Sequence, residues 1–413
     1  MKSIIFFLLC IGTMSLQAQR ICQSTEYANR WGHLTENSPV SSSNSSRDTV
    51  ANEIITIPVV VHIIYNNAQQ NISDAQVISQ LKVINEDFRR LNADAAFTPS
   101  AFLNAAADSR IMFCLAQVDP RGRPKKGIIR KQTTKTSFTY DDAMKFSAAG
   151  GDDAWDARKY LNIWVCNMQG NSLGYATEPG SPLDKDGVVI QYNAFGNVGS
   201  LNPLFNKGRT ATHEIGHWLG LKHIWGDDNC GNDYIDDTPT QESYNNNCPS
   251  FPHLSACSPN ANGDMFMNFM DYTNDACMNM FTNGQKSTMR GLFAVNGYRN
   301  SFMFSFACDS SLSTGAPLPT PTDTTSVVVP VEVSTIKMYP NPVHQTLHIA
   351  STLEGIDGEL KLIRIFNTTG KLLLSKSIVG SSENIDLSAL APGIYIVHIG
   401  VGKSAIKKKL IKI

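Results

Sequence analysis

The run Ile57-Pro58-Val59-Val60-Val61-His62-Ile63-Ile64-Tyr65 is almost unbroken in its apolar, β-branched character. A strand with one wet face would alternate apolar and polar residues, so this run predicts a strand buried on both faces. Downstream the spacing becomes helical. Ser73 and Gln76 stand as a capping box, and Val77, Ile78, Leu81, Ile84, Phe88 and Leu91 recur along one stripe that reads as a packing face. Residues 110–118, 160–166 and 187–192 supply further strands. Late in the chain the texture changes. Short alternating segments at 346–349, 360–366, 372–378 and 394–399, broken by turns such as Asn367-Thr368-Thr369-Gly370, predict a small β-sandwich. Between the two regions, residues 310–330 are rich in Ser, Thr and Pro and read as a linker.

Lys2, an apolar run over residues 4–11, and small or polar residues up to Ala18-Gln19 have the layout of a signal peptide cleaved near Ala18. The run is too short to cross a bilayer as a helix, and no other stretch is long and apolar enough to do so. Residues 20–47 are polar and serine-rich at their end, which leaves either a disordered leader or a propeptide. The 413 residues are 42% hydrophobic and 17% charged, with a formal net charge of -1. That balance fits two ordinary soluble domains and argues against nucleic acid as an obligatory partner. Export admits disulfides. Cys230, Cys248, Cys257 and Cys277 fall in a Gly-, Asn- and Pro-rich stretch that needs staples, and three connectivities are open to them. Cys114 and Cys166 are either buried thiols or part of a further bridge, and Cys308 has no evident partner.

The most informative chemistry lies in His213-Glu214-Ile215-Gly216-His217-Trp218-Leu219-Gly220-Leu221-Lys222-His223. On a helix, His213 and His217 are one turn apart and can bind one metal ion, with Glu214 beside it as general base. Gly220 can take the left-handed conformation that ends a helix, and the turn lets His223 swing back as third ligand. Three protein ligands leave a fourth position for water, which is the arrangement of a catalytic zinc site. Zinc would bring the pKa of that water towards about 7, and Glu214 would take its proton and pass it to the departing amine.

This extended pattern is similar to the metzincin signature. A methionine turn is expected downstream, and Met270-Asp271-Tyr272, closing on Cys277, supplies one. Together with Trp218 after the second histidine and Lys222 before the third, this run resembles the pappalysin family of secreted metallopeptidases, over about residues 54–281. The resemblance implies an α+β, metzincin-type catalytic domain: a twisted mixed sheet on long helices, with a zinc cleft. Its edge strand, here Ser172-Leu173-Gly174-Tyr175-Ala176, would pair with extended substrate.

The resemblance also assigns roles to single residues. It implies the disulfides Cys230–Cys257 and Cys248–Cys277, an apolar floor under the metal at Met270, and a hydroxyl for the tetrahedral intermediate at Tyr272. Taken alone, Tyr272 also reads as a core aromatic. Asp275 would lie at the bottom of the pocket for the residue after the cut bond, favouring Arg or Lys; a turn cap or a calcium ligand are its other readings. Cys22 would be a zymogen switch whose thiolate fills the fourth zinc position, although the family's Cys-Gly-Thr reads Cys22-Gln23-Ser24 here; a plain exposed thiol is the alternative. Ser46-Arg47 offers such an enzyme a bond it could cut itself. The loop from Asp227 to Asp237 holds five aspartates, and the resemblance implies calcium there, with Asp233, Asp237 and Thr238 as ligands; solvated charge is the alternative.

The C-terminal region carries Lys337-Met338-Tyr339-Pro340-Asn341-Pro342, Leu390-Ala391-Pro392-Gly393-Ile394-Tyr395 and a lysine-rich end at Ile413, and it resembles the sorting domains of the bacterial type IX secretion route. A carbohydrate-binding or adhesion module is the alternative. The expected organisation is a signal peptide (1–18), a propeptide (19–46), a catalytic domain (47–309), a linker (310–333) and a sorting domain (334–413). The expected protein is a secreted zinc endopeptidase made as a zymogen, with protein or peptide substrates and the type IX machinery as partners. Competing readings are a secreted binding protein on an inactive metalloprotease fold, which the presence of Glu214 opposes, a metzincin of another subfamily, or an amidase acting on cell-wall peptide.

Overall fold

The computed structural model describes residues 20–31, 54–258, 261–305, 308, 336–351, 361–367, 372–378, 382–401 and 404–413. Residues 1–18, expected as a signal peptide, Ser46-Arg47, and residues 310–333, expected as a linker, lie outside the described residues. A short helix α1 (Ser24–Trp31) is followed by β1 (Ile55–Tyr65), α2 (Asp74–Phe88), β2 (Ile111–Leu115), β3 (Ile128–Gln132), β4 (Leu161–Cys166), β5 (Gly174–Ala176), β6 (Gly187–Gln191), α3 (Arg209–Trp218) and α4 (Asn283–Gly291). The strands form one sheet in the order β2-β1-β4-β6-β5. Strand β1 is its spine: residues 55–59 pair with β2, residues 61–65 pair with β3, and β4 runs along the other side, all parallel. Only β5 runs antiparallel to its neighbour, β6, and it forms the edge above the site.

As its unbroken apolar character predicts, β1 is buried on both faces. Ile57, Val59, Val61 and Ile63 join the core that α2 and α3 complete, while Val60 and Ile64 enter separate apolar clusters. On α2, Ser73 Oγ accepts from the Gln76 amide at 3.1 Å, and Val77, Leu81, Ile84 and Phe88 are buried. The expected stripe is wider than the one observed, since Ile78 is 49% exposed and Leu91 68% exposed. Ile78 stands about 100° round the helix from Val77, past the edge of the packed face. The helix ends at Phe88, and Arg90 takes a left-handed turn (φ 50°), so Leu91 leaves the helical register. Strand β2 is also shorter than residues 110–118, because the chain after Leu115 turns back, with the Asp119 amide donating to Arg123 O at 2.9 Å.

Cys230 pairs with Cys257 and Cys248 with Cys277. Cys114 bridges Cys308, which answers the open question about both, and Cys166 is a buried free thiol. The C-terminal region forms a four-stranded sheet and a three-stranded sheet. Leu347, Ile349 and Ile385 from one and Ile363, Ile365, Val397 and Ile399 from the other share a single core, the expected small sandwich.

Candidate metal centre and active-site cleft

Helix α3 is anchored before it is functional. Arg209 in its first turn reaches Asp94 at 2.8 Å and Asp87 at 3.0 Å, and Thr212 donates to Asp87 at 2.6 Å. At its end, Trp218 Nε1 donates to Asp186 at 2.9 Å, and Arg299, paired with the same carboxylate, lies over the indole. Gly216 leaves room inside the helix for Met270, since a Cβ there would meet Met270 Sδ at 2.4 Å and force that side chain to move. Gly220 has φ 82° and its amide closes on His217 O at 2.8 Å, so the helix stops where the motif predicts.

The turn brings His223 back to the helix. His217 Nε2 lies 3.2 Å from His213 Nε2 and 3.0 Å from His223 Nε2, and all three rings are buried. The outer nitrogens settle the tautomers. His213 Nδ1 donates to Phe269 O at 2.7 Å, His217 Nδ1 donates to Leu221 O at 2.8 Å, and His223 Nδ1 donates to Asp227. With each proton on Nδ1, three Nε2 lone pairs face one point, an arrangement that no hydrogen bond among them can satisfy. A cation at that point resolves it, and nitrogen donors oriented by such outer partners suit zinc. Burial and the mutual repulsion of the rings depress the His213 imidazole well below its ordinary range, and burial and His223 bring His217 down to about 3, so both are held neutral. Cys22 Sγ joins the cluster, with all four donor atoms within 4.8 Å of one another.

Glu214 is 1% exposed, and burial pushes its carboxyl up to about 7 against the pull of hydrogen bonds from Cys22 and Ser24 and of the Arg20 charge. Cys22 Sγ donates to Glu214 Oε2 at 3.3 Å and Ser24 Oγ donates to the same oxygen at 3.0 Å. Strand β5 passes directly over this carboxylate: a Cβ on Gly174 would meet Glu214 Oε1 at 2.9 Å. The segment from Arg20 lies parallel to that edge, with the Leu173 amide donating to Ile21 O at 2.9 Å and the Gln23 amide to Gly174 O at 3.0 Å. Cys22 is thus buried, not the exposed thiol that its sequence context also allowed. Burial, then the nearby Glu214 charge, raises its thiol well above the ordinary range, so a coordinated cation is what would favour the thiolate.

Two residues beyond the zinc motif complete the cleft. Tyr272 packs its ring against His223 and donates its hydroxyl to Cys22 O at 3.1 Å. Asp275 is fully buried, with Oδ2 accepting from the Lys207 and Arg209 amides at 2.8 and 3.2 Å and Oδ1 meeting Arg20 Nη2 at 2.5 Å. It therefore caps the start of α3 and presents its second oxygen to a guanidinium. Thr210, the Thr273 carbonyl and the Phe205 ring line the rest of that pocket. Met270 is buried under α3 and contributes no atom to the cluster of metal donors. In the aspartate loop, Thr238 Oγ1 donates to both Asp233 oxygens at 2.9 Å and Asp237 Oδ2 accepts from the Gly284 amide at 2.9 Å, while Asp237 Oδ1 is buried without a partner.

The sequence did not single out Asp227, Ser24 or Arg20. Asp227 stands four residues after His223, a spacing that could have marked it as the imidazole's partner; Arg20 lies 255 positions from Asp275 and carried no such signal.

Comparison with known proteins agrees with this geometry. Residues 147–294 match the peptidase family described as pregnancy-associated plasma protein-A, and residues 337–413 match the secretion system C-terminal sorting domain. An extracellular metalloprotease of Pyricularia oryzae is 33% identical over 255 residues, 58% of this chain and 75% of that protein. Mature mirolysin of Tannerella forsythia in complex with a cleaved peptide is similar at 52% identity and a TM-score of 0.61, covering 64% of this chain and 99% of that one. A promirolysin mutant from the same organism is 48% identical with a TM-score of 0.62, covering 70% of this chain and 98% of that one. Among the described residues no helix is long and apolar enough to cross a membrane. The chain, a secreted metalloendopeptidase with a type IX sorting domain, belongs to the pappalysin family.

Proposed function

We propose that the cleft cuts peptide bonds through Glu214 acting beside a zinc ion held by His213, His217 and His223. The observation that carries this reading is the convergence of three imidazole Nε2 atoms next to a buried carboxylate. When bound, zinc supplies a Lewis acid that polarises the scissile carbonyl and makes water acidic enough to react near pH 7. Glu214, buried beside the metal donors, takes a proton from water and returns it to the leaving amine. Tyr272 is kept protonated by burial and donates its hydroxyl to the oxygen that becomes negative in the transition state. Tyr272→Phe should therefore lower kcat by about a hundredfold with little change in KM, read in steady-state kinetics. Equal kcat would return Tyr272 to the core aromatic role.

In the same reading, residues 19–46 are a prosegment, and Cys22 supplies the fourth donor where water would otherwise stand. Its support is the position of Cys22 Sγ among the imidazoles and the path of residues 20–24 along the edge strand. Cys22→Ser should shorten zymogen latency at least about tenfold, equivalent to ~1.4 kcal/mol of lost anchoring. Unchanged activation kinetics would remove that role.

Specificity is assigned to Asp275, because Arg20 stands where a substrate Arg or Lys side chain would enter. Asp275→Asn keeps an acceptor for the helix amides while deleting the charge. The preference for Arg over its neutral isostere citrulline after the cut should then fall about 10–100-fold in kcat/KM; an unaltered preference would place specificity elsewhere. Calcium at Asp233, Asp237 and Thr238 belongs to this proposal too, supported by the unpartnered Asp237 Oδ1 and by burial that raises Asp233 to about 6. The domain limits expected from the sequence complete it, with the sorting domain as the part addressed to the type IX machinery.

A further inference from the structure

Helix α1 delivers one side chain that the chemistry of the metal centre does not use. Tyr27 is buried at 5% exposure, and its hydroxyl donates to Asp142 Oδ2 at 2.8 Å. Its ring centroid lies 4.9 Å from that of Tyr175, and Lys145 Nζ stands 5.1 Å from the ring. The rest of this socket is held in place by the catalytic domain itself. Tyr175 donates its hydroxyl to Asp142 Oδ1 at 3.0 Å, and Lys145 Nζ meets the same oxygen at 2.9 Å and donates to Lys185 O at 2.9 Å. Asp142 is 1% exposed and has a left-handed backbone (φ 67°), a conformation that a non-glycine residue keeps only where its surroundings fix it. Lys185 Nζ flanks Asp142 Oδ2 at 3.4 Å.

The socket has a definite place at the edge strand, on the face turned away from Glu214, since Tyr175 alternates with Gly174, whose Cβ would meet that carboxylate. Along the segment, Arg20 occupies the Asp275 pocket, Cys22 reaches the imidazoles, and Tyr27 lies beyond them against Tyr175, the middle residue of the edge strand. If the Asp275 pocket takes the residue after the cut bond, the socket lies on the side of residues before it. Its chemistry is selective. A phenol fills the aromatic wall and donates to Asp142 Oδ2, whereas phenylalanine would leave that buried oxygen one donor short.

We propose that this socket is a phenol-binding subsite: it holds Tyr27 while the prosegment is attached and, once the prosegment is removed, takes the side chain of a tyrosine that precedes the cut bond in substrate. The proposal rests on the prosegment reading above, and its placement before the cut bond rests on the Asp275 pocket as well. The test uses mature enzyme and peptides with Arg after the cut, in which Tyr and Phe are exchanged at each preceding position in turn. One position should favour Tyr about tenfold in kcat/KM. In parallel, Tyr27→Phe in the full chain should shorten latency by a similar factor; the variant loses only a hydroxyl, and its processed product is identical to that of the unmodified chain. Equal cleavage of Tyr and Phe peptides at every position, or unchanged latency in Tyr27→Phe, overturns the proposal. Should Cys22→Ser leave latency unaltered, the role of Cys22 as fourth donor fails by itself, while Tyr27→Phe and the Tyr and Phe comparison still decide the subsite.

Discussion

Glu214→Ala lowers peptide cleavage by about 10²–10⁴-fold, the range in which a positioned general acid or base contributes, while zinc stays bound. The two halves of this expectation have separate physical sources. Glu214 donates no atom to the cluster of His213, His217, His223 and Cys22, so its removal leaves the metal donors intact. Its Oε2 lies in hydrogen-bond reach of the thiol that occupies the centre of the cleft, where a reacting water would stand in its place. Single-turnover cleavage of a fluorogenic peptide, measured beside the zinc content of the same preparation, separates the halves. Near-original cleavage would remove Glu214 as the base, and loss of zinc would make it a structural residue.

His217→Ala abolishes measurable activity together with zinc binding, whereas Asp227→Ala weakens zinc affinity only about 10–100-fold, as loss of an outer partner of a ligand does. His217 is central to the cluster, with its Nε2 within 3.2 Å of each of the other two. Among the imidazoles Asp227 bonds Nδ1 of His223 and fixes which nitrogen carries the proton, and it also bonds the Thr25 hydroxyl. Competition with a chromogenic zinc chelator measures both variants on one scale. If the two lost affinity equally, the difference drawn between ligand and orienting partner would not hold.

The zinc motif was legible in the sequence because helical spacing and a glycine-ended turn are local rules, and they bring His213, His217 and His223 together within eleven residues. Strand β1 was legible for a similar reason: burial on both faces leaves a continuous apolar run. Strand β3 was not, because Ile128–Gln132 carries Arg130, Lys131 and Gln132 along a partly exposed edge, where pairing with β1 rather than periodicity makes it a strand. Ile78 and Leu91 looked like core from spacing alone, and only the end of α2 and the width of the packed face exclude them. The Cys114–Cys308 bridge joins residues 194 apart, and the pairing of Cys230, Cys248, Cys257 and Cys277 came from family resemblance rather than from residue chemistry. The meeting of Arg20 with Asp275, and of Tyr27 with Asp142, depends on where the N-terminal segment lies across the folded domain, and no local pattern encodes that.

Quantifying metal by inductively coupled plasma mass spectrometry in the purified, folded chain, beside the His213→Ala and His217→Ala double variant, addresses the three-imidazole centre itself. One zinc per chain in the unmodified protein and none in the double variant is the predicted result. A folded, peptide-cleaving protein without zinc, or zinc retained in full after both imidazoles are gone, would contradict it.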